Sequence, residues 1–470
     1  MRATVLMSLF ILLLLSKVAL ADSYLPLDSR LYGDLRFLEA SGEITTAQLS
    51  TLPISRREAA RLTSEAIDNV ATDDSFRVQA ALARLKKEFR RELAGETAPE
   101  FAMDTVDLQY MYSDDKGFFW QKNRDGVEVR GGHNLFLNAT GRFDSKYVGA
   151  VVRPEADLYE GDAGLRLKKA YLLANLGREE FVVGKESQWW GTGINGSPLL
   201  SNNADPLTIF KISNSVPYFP FGIGVRGSFF VTRLEEERTD VDRPILYGLR
   251  LDLKPFPWLE LGLAKTALLG GEGRNAGLST FGNSLLGRGE NEEGEAGDQR
   301  AGLDAKVVIP WRVQPITLSV EMTGEDQRNN FPEKWFGVYG IYLPRVLSLE
   351  RLEVSAEYAD NVNDTYKGFW YTHHIYTQGY TYHGRIIGHY IGGDARDLFL
   401  RAQYHFDPLI LSLSYENLRK GYPERFRWES FEASALTELS NQTDLTISAG
   451  YAREAEKNFI MRVGLRHYFM

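Results

Sequence analysis

The sequence predicts a mainly β protein: an outer-membrane antiparallel β-barrel of about 18 strands, preceded by a small N-terminal helical bundle in the periplasm. Three observations predict this fold class. The chain begins with an export signal, its hydrophobic periodicity changes from that of helices to that of strands near Phe101, and its later connections alternate between short and long. Outer-membrane barrels have alternating strands, short turns at the periplasmic end and longer loops at the extracellular end.

The first 21 residues have the composition of a secretory signal peptide. Arg2 supplies a positive charge, residues 5–15 are almost wholly apolar, and Ala19 and Ala21 place small residues before a cleavage site. This pattern predicts export and removal of residues 1–21. An uncleaved membrane anchor is the alternative, but the apolar stretch is short for a membrane span.

Residues 22–100 have helical periodicity and are predicted to form a periplasmic domain of about three helices. Ser55 begins a capping box at the start of a helix over 54–66. Apolar residues recur along one helical face over 76–93, and Gly95 follows the end of that pattern. The amphipathic faces could bind a membrane surface, but because each is short we expect them to pack on one another.

Residues 101–470 are predicted to form a transmembrane β-barrel with long extracellular loops. Tyr247, Leu249 and Leu251 alternate with a glycine, an arginine and an aspartate, and similar alternation recurs along the chain. A period of two directs one set of side chains to each face of a strand. A soluble β-sandwich shows the same alternation, so the connections have to distinguish the two folds.

The connections favour the barrel. Residues 255–258 and 344–348 read as tight turns, whereas 268–299 and 361–396 read as long loops. Counting strands forward from the N-terminus and backward from the C-terminus gives seventeen. With seventeen strands, the two counts place the long loops on opposite sides of the barrel. One more strand at 207–213 restores agreement and gives an even number, with both termini in the periplasm. The predicted strands are 101–113, 133–142, 147–154, 165–176, 180–185, 207–213, 224–234, 246–254, 259–267, 300–309, 316–324, 336–343, 349–360, 397–406, 409–417, 426–438, 444–452 and 458–469.

Composition argues against several classes of function. The chain has no cysteine, which excludes disulfides, iron–sulfur clusters and cysteine nucleophiles, and its net charge of −9 argues against a nucleic-acid partner. The seven histidines show no spacing that indicates the catalytic site of a barrel phospholipase or protease. His373 and His374 are adjacent and would point apart in an extended segment. We therefore predict no catalytic residues, no metal, no cofactor and no enzymatic activity.

A glycine-rich stretch at 184–206 contains the pattern G-x-G-x-x-G at 191–196. A dinucleotide site needs a helix that begins inside this pattern, and Pro198 and Pro206 interrupt the segment where that helix would run. The strand count places the stretch in an extracellular loop. Its tryptophans offer flat apolar faces, and its asparagines donate and accept hydrogen bonds. This mixture suits a loop folded into the barrel mouth as a plug, and it also suits stacking on sugar rings.

Several motifs resemble the Wzi capsule-assembly family. They are WWG at 189–191, LSNNA at 200–204, GHYIGGDAR at 388–396 before a strand, and YLPL at 24–27 after the signal peptide. The resemblance covers nearly the whole mature chain. It implies an eighteen-stranded outer-membrane barrel with a periplasmic helical bundle. It also implies a lectin-like role that attaches or organises capsular polysaccharide or exopolysaccharide at the cell surface, without identifying the residues that touch sugar.

We predict that seven residues lie on or just beneath the extracellular mouth, as polysaccharide-binding or plug residues: Trp189, Trp190, Asn202, Asn203, Tyr371, His389 and Asp394. The predicted partners are a surface polysaccharide, outer-membrane lipids and lipopolysaccharide, and the barrel is predicted to be a monomer. A solute-selective outer-membrane porin is the alternative function, because eighteen strands enclose a wide lumen unless loops close it.

Overall fold

Eighteen antiparallel strands close into a barrel in the computed structural model of the chain. Each strand pairs with its neighbours in sequence, and the first strand pairs with the last to complete the wall. The strands, numbered β1 to β18 in chain order, are Glu100–Ser113, Gly132–Asp144, Val148–Tyr159, Asp162–Leu176, Glu179–Glu186, Leu207–Asn214, Gly224–Arg233, Ile245–Phe256, Leu259–Leu269, Asp298–Ile309, Ile316–Arg328, Phe331–Leu343, Leu352–Asp360, Ala395–His405, Leu409–Lys420, Phe426–Ser440, Thr443–Arg453 and Lys457–Tyr468.

The barrel predicted from the sequence is confirmed, and every predicted strand overlaps one of these eighteen. The strand predicted at 316–324 continues to Arg328, because backbone pairing extends beyond the apolar alternation that marks the strand in the sequence. The structure describes residues 23–70, 75–288, 297–328, 331–363, 365, 367–406, 408–421 and 425–469. The predicted signal peptide lies outside these residues.

Side chains alternate between the two faces of the wall. In β8, Arg250, Asp252 and Lys254 face the lumen and are buried, whereas Leu251 between them is on the exposed outer face. Large apolar side chains are exposed on the outer face of other strands too, and Leu413 of β15 is 65 % exposed. The two-residue period thus separates a charged lumen from an apolar exterior, as in membrane barrels.

The two ends of the barrel differ in their connections. At one end the strands are joined by short turns, among them 145–147, 177–178, 257–258 and 441–442. The opposite end carries the long loops. We name five of these L1 (114–131), L2 (187–206), L3 (234–244), L4 (270–297) and L5 (361–394).

In the described part of the chain, helices α1 (Leu31–Ser41), α2 (Arg56–Asn69), α3 (Phe76–Glu88) and α4 (Arg90–Leu93) precede the barrel. Ser55 caps α2 by accepting a hydrogen bond from the Glu58 amide at 3.1 Å. The helix therefore begins two residues later than its predicted start at 54, because Ser55 is the cap itself. Leu35 and Leu82 are buried in the apolar core that these helices share. We call residues 23–93 the helical domain.

The helical domain is inserted into the short-turn end of the lumen. Lys254 of β8 and Lys306 of β10 each donate a hydrogen bond to the Glu39 carboxylate of α1, both at 2.8 Å. Thr51 donates to Asp252 of β8 at 2.6 Å. These groups are buried, where an unpaired charge is far more costly than in water. Opposite charges on the domain and the wall therefore hold the domain in place.

Two further helices lie in loops, α5 (Phe118–Gln121) in L1 and α6 (Leu278–Leu285) in L4. α6 packs on the outer face of the wall: the Phe281 ring lies 4.8 Å from that of Tyr247 in β8, and the Ser284 hydroxyl is 2.7 Å from the Tyr247 hydroxyl. Among the described residues, no helix is long and apolar enough to cross a membrane.

We expect Glu39→Ala to lower the free energy of unfolding by about 3 kcal/mol, because it leaves the buried ammonium of Lys254 without its carboxylate partner. Urea unfolding of the detergent-solubilised protein measures this change. Glu236→Ala is the matched control, since that carboxylate pairs with Arg243 on the exposed surface, and it should leave stability unchanged. Equal stability of the Glu39 variant and the wild type would show that these ion pairs do not hold the domain in the lumen.

Candidate functional site

Loop L2 runs through the lumen and reaches the helical domain. Trp189 and Trp190 pair in antiparallel register with Leu52 and Thr51 of that domain. The Trp190 amide also donates to the carbonyl of Leu200 at 3.1 Å, so that the loop folds back on itself. L2 therefore links the contents of the long-loop end of the barrel to those of the short-turn end.

Two glycines of L2 lie where its backbone meets other side chains. Gly191 has a φ of 140° and lies against the Glu321 carboxylate of β11, where a Cβ would clash. Gly196 lies against the imidazole of His389, and a Cβ would clash there too. The G-x-G-x-x-G pattern thus permits close packing in the lumen, which side chains at these positions would prevent.

Loop L5 lies across L2 and is hydrogen-bonded to it. The Tyr371 hydroxyl donates to the carbonyl of Pro198 at 2.8 Å and accepts from the His389 amide at 2.9 Å. The Asn203 side chain donates to the carbonyl of Ile386 at 2.9 Å. Side-chain groups of L5 thus satisfy backbone groups of L2 and the reverse, as buried loop backbone requires.

Loop L1 completes this layer. The Asn202 side chain donates to the Asn123 carbonyl at 3.1 Å, and the Asp125 amide donates to the Asn202 carbonyl at 2.7 Å. The Asn123 side chain in turn donates to the carbonyl of Asn195 in L2 at 2.6 Å. We call L1, L2 and L5 together the mouth assembly, because their hydrogen bonds join them across the long-loop end of the lumen.

All seven residues predicted at the mouth belong to L2 or L5 of the mouth assembly, and four of them lie at the contacts between its loops. Asn203, Tyr371 and His389 are buried where L2 meets L5, and Asn202 is half-buried where L1 meets L2. Asp394 lies apart from them at the end of L5, where it is buried and its carbonyl accepts a hydrogen bond from the connection between β15 and β16. The structure thus brings four of these side chains to the contacts between loops.

The two tryptophans lie deeper than the predicted position on or just beneath the mouth. Trp189 is 8 % exposed and packs in the apolar core of the helical domain. Trp190 is fully buried, and its ring lies 5.2 Å from that of Phe230 in β7. Their depth follows from the path of L2, which enters the lumen before it turns back. Loop length and composition do not encode that path.

His389 is a neutral, fully buried side chain. Burial, assisted by the positive charge of Lys122, lowers the pKa of His389 to about 3. Its ring lies 5.3 Å from that of Phe336 in β12, and its Nε2 has no hydrogen-bond partner among the described residues. No group of three or more histidine, aspartate or glutamate side chains in the described ranges is arranged to hold a metal ion. His389 therefore acts in packing L5 onto L2.

An aromatic cluster lies at the mouth where the sequence predicts none. Phe426 and Trp428 of β16 are stacked, with ring centroids 3.9 Å apart and planes at 19°, and the ring of Phe118 in L1 lies 5.3 Å from that of Trp428. All three are partly exposed, and we call them the rim cluster. The run of three aromatic residues at 118–120 in a loop is the available signal, but its place beside β16 depends on closure of the barrel.

A protein-family model described as capsule assembly protein Wzi matches residues 113–467. The chain belongs to the Wzi capsule-assembly family. The family match and the closed eighteen-stranded barrel together confirm the outer-membrane barrel expected from the sequence.

Solved structures share the fold. One is described as Wzi, an outer membrane protein involved in group 1 capsule assembly in Escherichia coli and a carbohydrate binding β-barrel. It is 20 % identical, covers 96 % of this chain and 99 % of its own, and has a TM-score of 0.75. The outer membrane protein OprD of Pseudomonas aeruginosa is 10 % identical, covers 78 % of this chain and 93 % of its own, and has a TM-score of 0.50. Both likenesses are likenesses of fold.

A curated relative from Klebsiella pneumoniae is described as an uncharacterized 55.8 kDa protein in the cps region. It is 25 % identical over an alignment of 335 residues, and the match covers 67 % of this member of the Wzi family. The matching part spans 60 % of the length of that relative.

We expect acid to destabilise the protein partly through His389. Because its pKa is lowered on folding, the unfolded state takes up the proton first, and stability is lost as the pH falls from about 6.5 towards 3. Between pH 7 and pH 5 the wild type should lose about 2 kcal/mol more unfolding free energy than His389→Gln. Urea unfolding at the two pH values measures the difference. If both proteins lose the same amount, His389 is not held neutral by burial.

Proposed function

We propose that the protein attaches or organises capsular polysaccharide or exopolysaccharide at the cell surface, as a lectin-like protein without catalytic activity. The mouth assembly is the observation that carries the proposal, because it joins three loops into one ordered surface at the long-loop end of the barrel. Membership of the Wzi family supports it, and so does the carbohydrate binding stated for the Escherichia coli structure. Retention of a polymer requires no bond to be broken.

The rim cluster supplies the chemistry for sugar contact. A sugar ring laid on the Trp428 or Phe118 ring would bury apolar surface, worth about 1–3 kcal/mol for a well-covered ring. Arg130 lies over the Tyr159 ring at 4.0 Å and is partly exposed, but it is paired with Asp162 at 2.8 Å, so an acidic polymer would have to compete with that carboxylate. Such contacts are weak singly. They become strong when many repeats of one polymer bind many barrels.

The outer face of L4 supports contact with lipid. Leu278 and Leu286, at the two ends of α6, are 91 % and 71 % exposed on a helix that packs against the outside of the wall. Apolar helix faces in this position insert among acyl chains. Our proposal therefore includes outer-membrane lipids and lipopolysaccharide as partners, and a monomeric barrel.

The proposed role at the cell surface also fixes the proposed orientation of the barrel in the outer membrane. The long loops face the medium, and the short turns face the periplasm. Residues 22–100 then form the periplasmic helical domain and 101–470 the barrel, after removal of residues 1–21.

The contents of the lumen favour retention over the alternative of a solute-selective porin. The helical domain is held inside the short-turn end, and L2 extends from the mouth assembly to that domain. Cavities of about 390 and 340 Å³ remain between them. The plug is thus built from both ends of the barrel, whereas a passive porin needs an open passage.

We expect the double variant Trp189→Ala, Trp190→Ala to raise conductance in planar bilayers and to leave polysaccharide retention near the wild-type value. Both indoles lie inside the plug, so their removal opens space along L2 without changing the outer surface. Retention is measured as cell-bound against shed polysaccharide. A folded double variant that loses retention and stays closed would show that these residues reach the polymer.

We expect the double variant Phe118→Ala, Trp428→Ala to reduce cell-bound polysaccharide several-fold, with a matching rise in the medium. The loss of about 1–3 kcal/mol per stacked ring is multiplied across the many contacts of one polymer. Trp311→Ala is the matched control, because Trp311 is an exposed aromatic residue at the opposite, short-turn end.

Deletion of the whole protein sets the scale for this comparison. If deletion leaves both polysaccharide fractions unchanged, the retention role fails. If deletion sheds polysaccharide while the rim variant does not, the role stands and the polymer binds elsewhere on the mouth.

A further inference from the structure

A cavity of about 390 Å³ lies between the helical domain and the lumen wall. Arg36 of α1 lines it from the domain side, and Arg401 of β14 lines it from the wall. Polar side chains of Gln403, Ser412 and Ser434 line it as well. Its volume is within the range of pockets that bind small molecules, about 300–1,000 Å³.

Other cationic side chains around this cavity have carboxylate partners. The shortest nitrogen–oxygen distances are 2.9 Å for Arg30 with Glu438, 3.0 Å for Arg77 with Asp34, 2.7 Å for Arg84 with Asp34 and 2.6 Å for Lys306 with Glu260. Their charges are compensated inside the protein, as buried charges generally are.

Arg36 and Arg401 are the exceptions. Within the described ranges, neither guanidinium makes a hydrogen bond or an ion pair. Glu39 is one turn from Arg36 on α1, but its two oxygens are bound by Lys254 and Lys306. Glu353 is within electrostatic range of Arg401, but its Oε2 is already 3.7 Å from Arg77 and 3.3 Å from His405.

Arg36 and Arg401 line the same cavity, and both side chains are half-buried. Burial lowers the pKa of Arg36, and the positive charge of Arg401 lowers it further. Two like charges that line one cavity, neither with an ion pair among the described residues, are stabilised when an anion binds near both.

We propose that an oxyanion binds in this cavity between Arg36 and Arg401, as the carboxylate of a small sugar acid or as a phosphate. Guanidinium groups bind both through paired N–H···O hydrogen bonds, which gives affinity and orientation together. The hydroxyl and amide groups of Ser412, Ser434 and Gln403 are suited to the hydroxyl groups of a sugar. The site lies inside the lumen and does not rest on the proposed retention at the mouth.

The test uses the full-length mature protein in detergent, at low ionic strength and with sulfate and phosphate removed. Thermal unfolding and titration calorimetry are recorded with sodium glucuronate, with inorganic phosphate, and with glucose as the neutral control. We expect the Tm to rise with glucuronate, with phosphate or with both, and to stay unchanged with glucose. Arg36→Gln and Arg401→Gln should each weaken binding at least about tenfold, since each removes a charged hydrogen-bond partner.

The ligand-free proteins supply an independent readout. Removing one of two like charges should leave the Tm of ligand-free Arg36→Gln and Arg401→Gln equal to or above that of the wild type. With anion present, the Tm of the wild type should be the higher. Arg84→Gln is the matched control, because Arg84 lines the same cavity but pairs with Asp34. It should lower the ligand-free Tm and leave anion affinity unchanged.

Arg36→Lys keeps the charge and should keep part of the affinity, even if a glutamine variant fails to fold. Binding of glucuronate alone assigns the site to a sugar acid, and binding of phosphate alone assigns it to phosphate. Absence of binding to either anion, or equal affinity in the wild type and both glutamine variants, would overturn the proposal.

Discussion

The pairing of β1 with β18 is the interaction on which the rest of the structure depends. Its register runs from Thr105 opposite Tyr468 to Ser113 opposite Ile460, and it leaves the wall without a free strand edge. In a membrane such closure is required, because unpaired backbone groups find no partner among lipid chains. Closure also directs every second side chain of every strand into one enclosed space.

That enclosed space explains the ion pairs. Side chains such as Lys254, Asp252 and Lys306 can face the lumen because the helical domain brings complementary groups to them, with Glu39 the centre of one such set. Arg36 and Arg401 differ from the charges around them, which are paired, because neither has an ion pair in the part of the chain that the structure describes. The charge pattern of the lumen thus separates paired groups that hold the plug in place from the two arginines at which we propose that an anion binds.

At the mouth, too, different residues provide the interior packing and the exposed surface. The glycines and tryptophans of L2 pack inside the lumen: Gly196 lies against the ring of His389, and Trp189 packs in the core of the helical domain. The partly exposed aromatic rings at the surface come instead from L1 and β16. L2 therefore supports the surface from inside the lumen, and the rim cluster is the partly exposed region at which we propose that the polymer binds.

The sequence by itself determined the eighteen strands, the helical domain and the loop asymmetry, because each depends on a period or a turn that is local along the chain. Ser55 at the cap of α2 is one such case, whereas the strand at 207–213, now β6, also needed the strand count of the whole barrel. Tertiary structure alone decided the depth of Trp189 and Trp190, the rim cluster and the pairing of lumen charges. Contacts that join residues more than a hundred positions apart contribute to each of these, such as those of Trp190 with Thr51 and of Glu39 with Lys306. Local patterns carry no information about such partners, because barrel closure and the path of L2 bring them together.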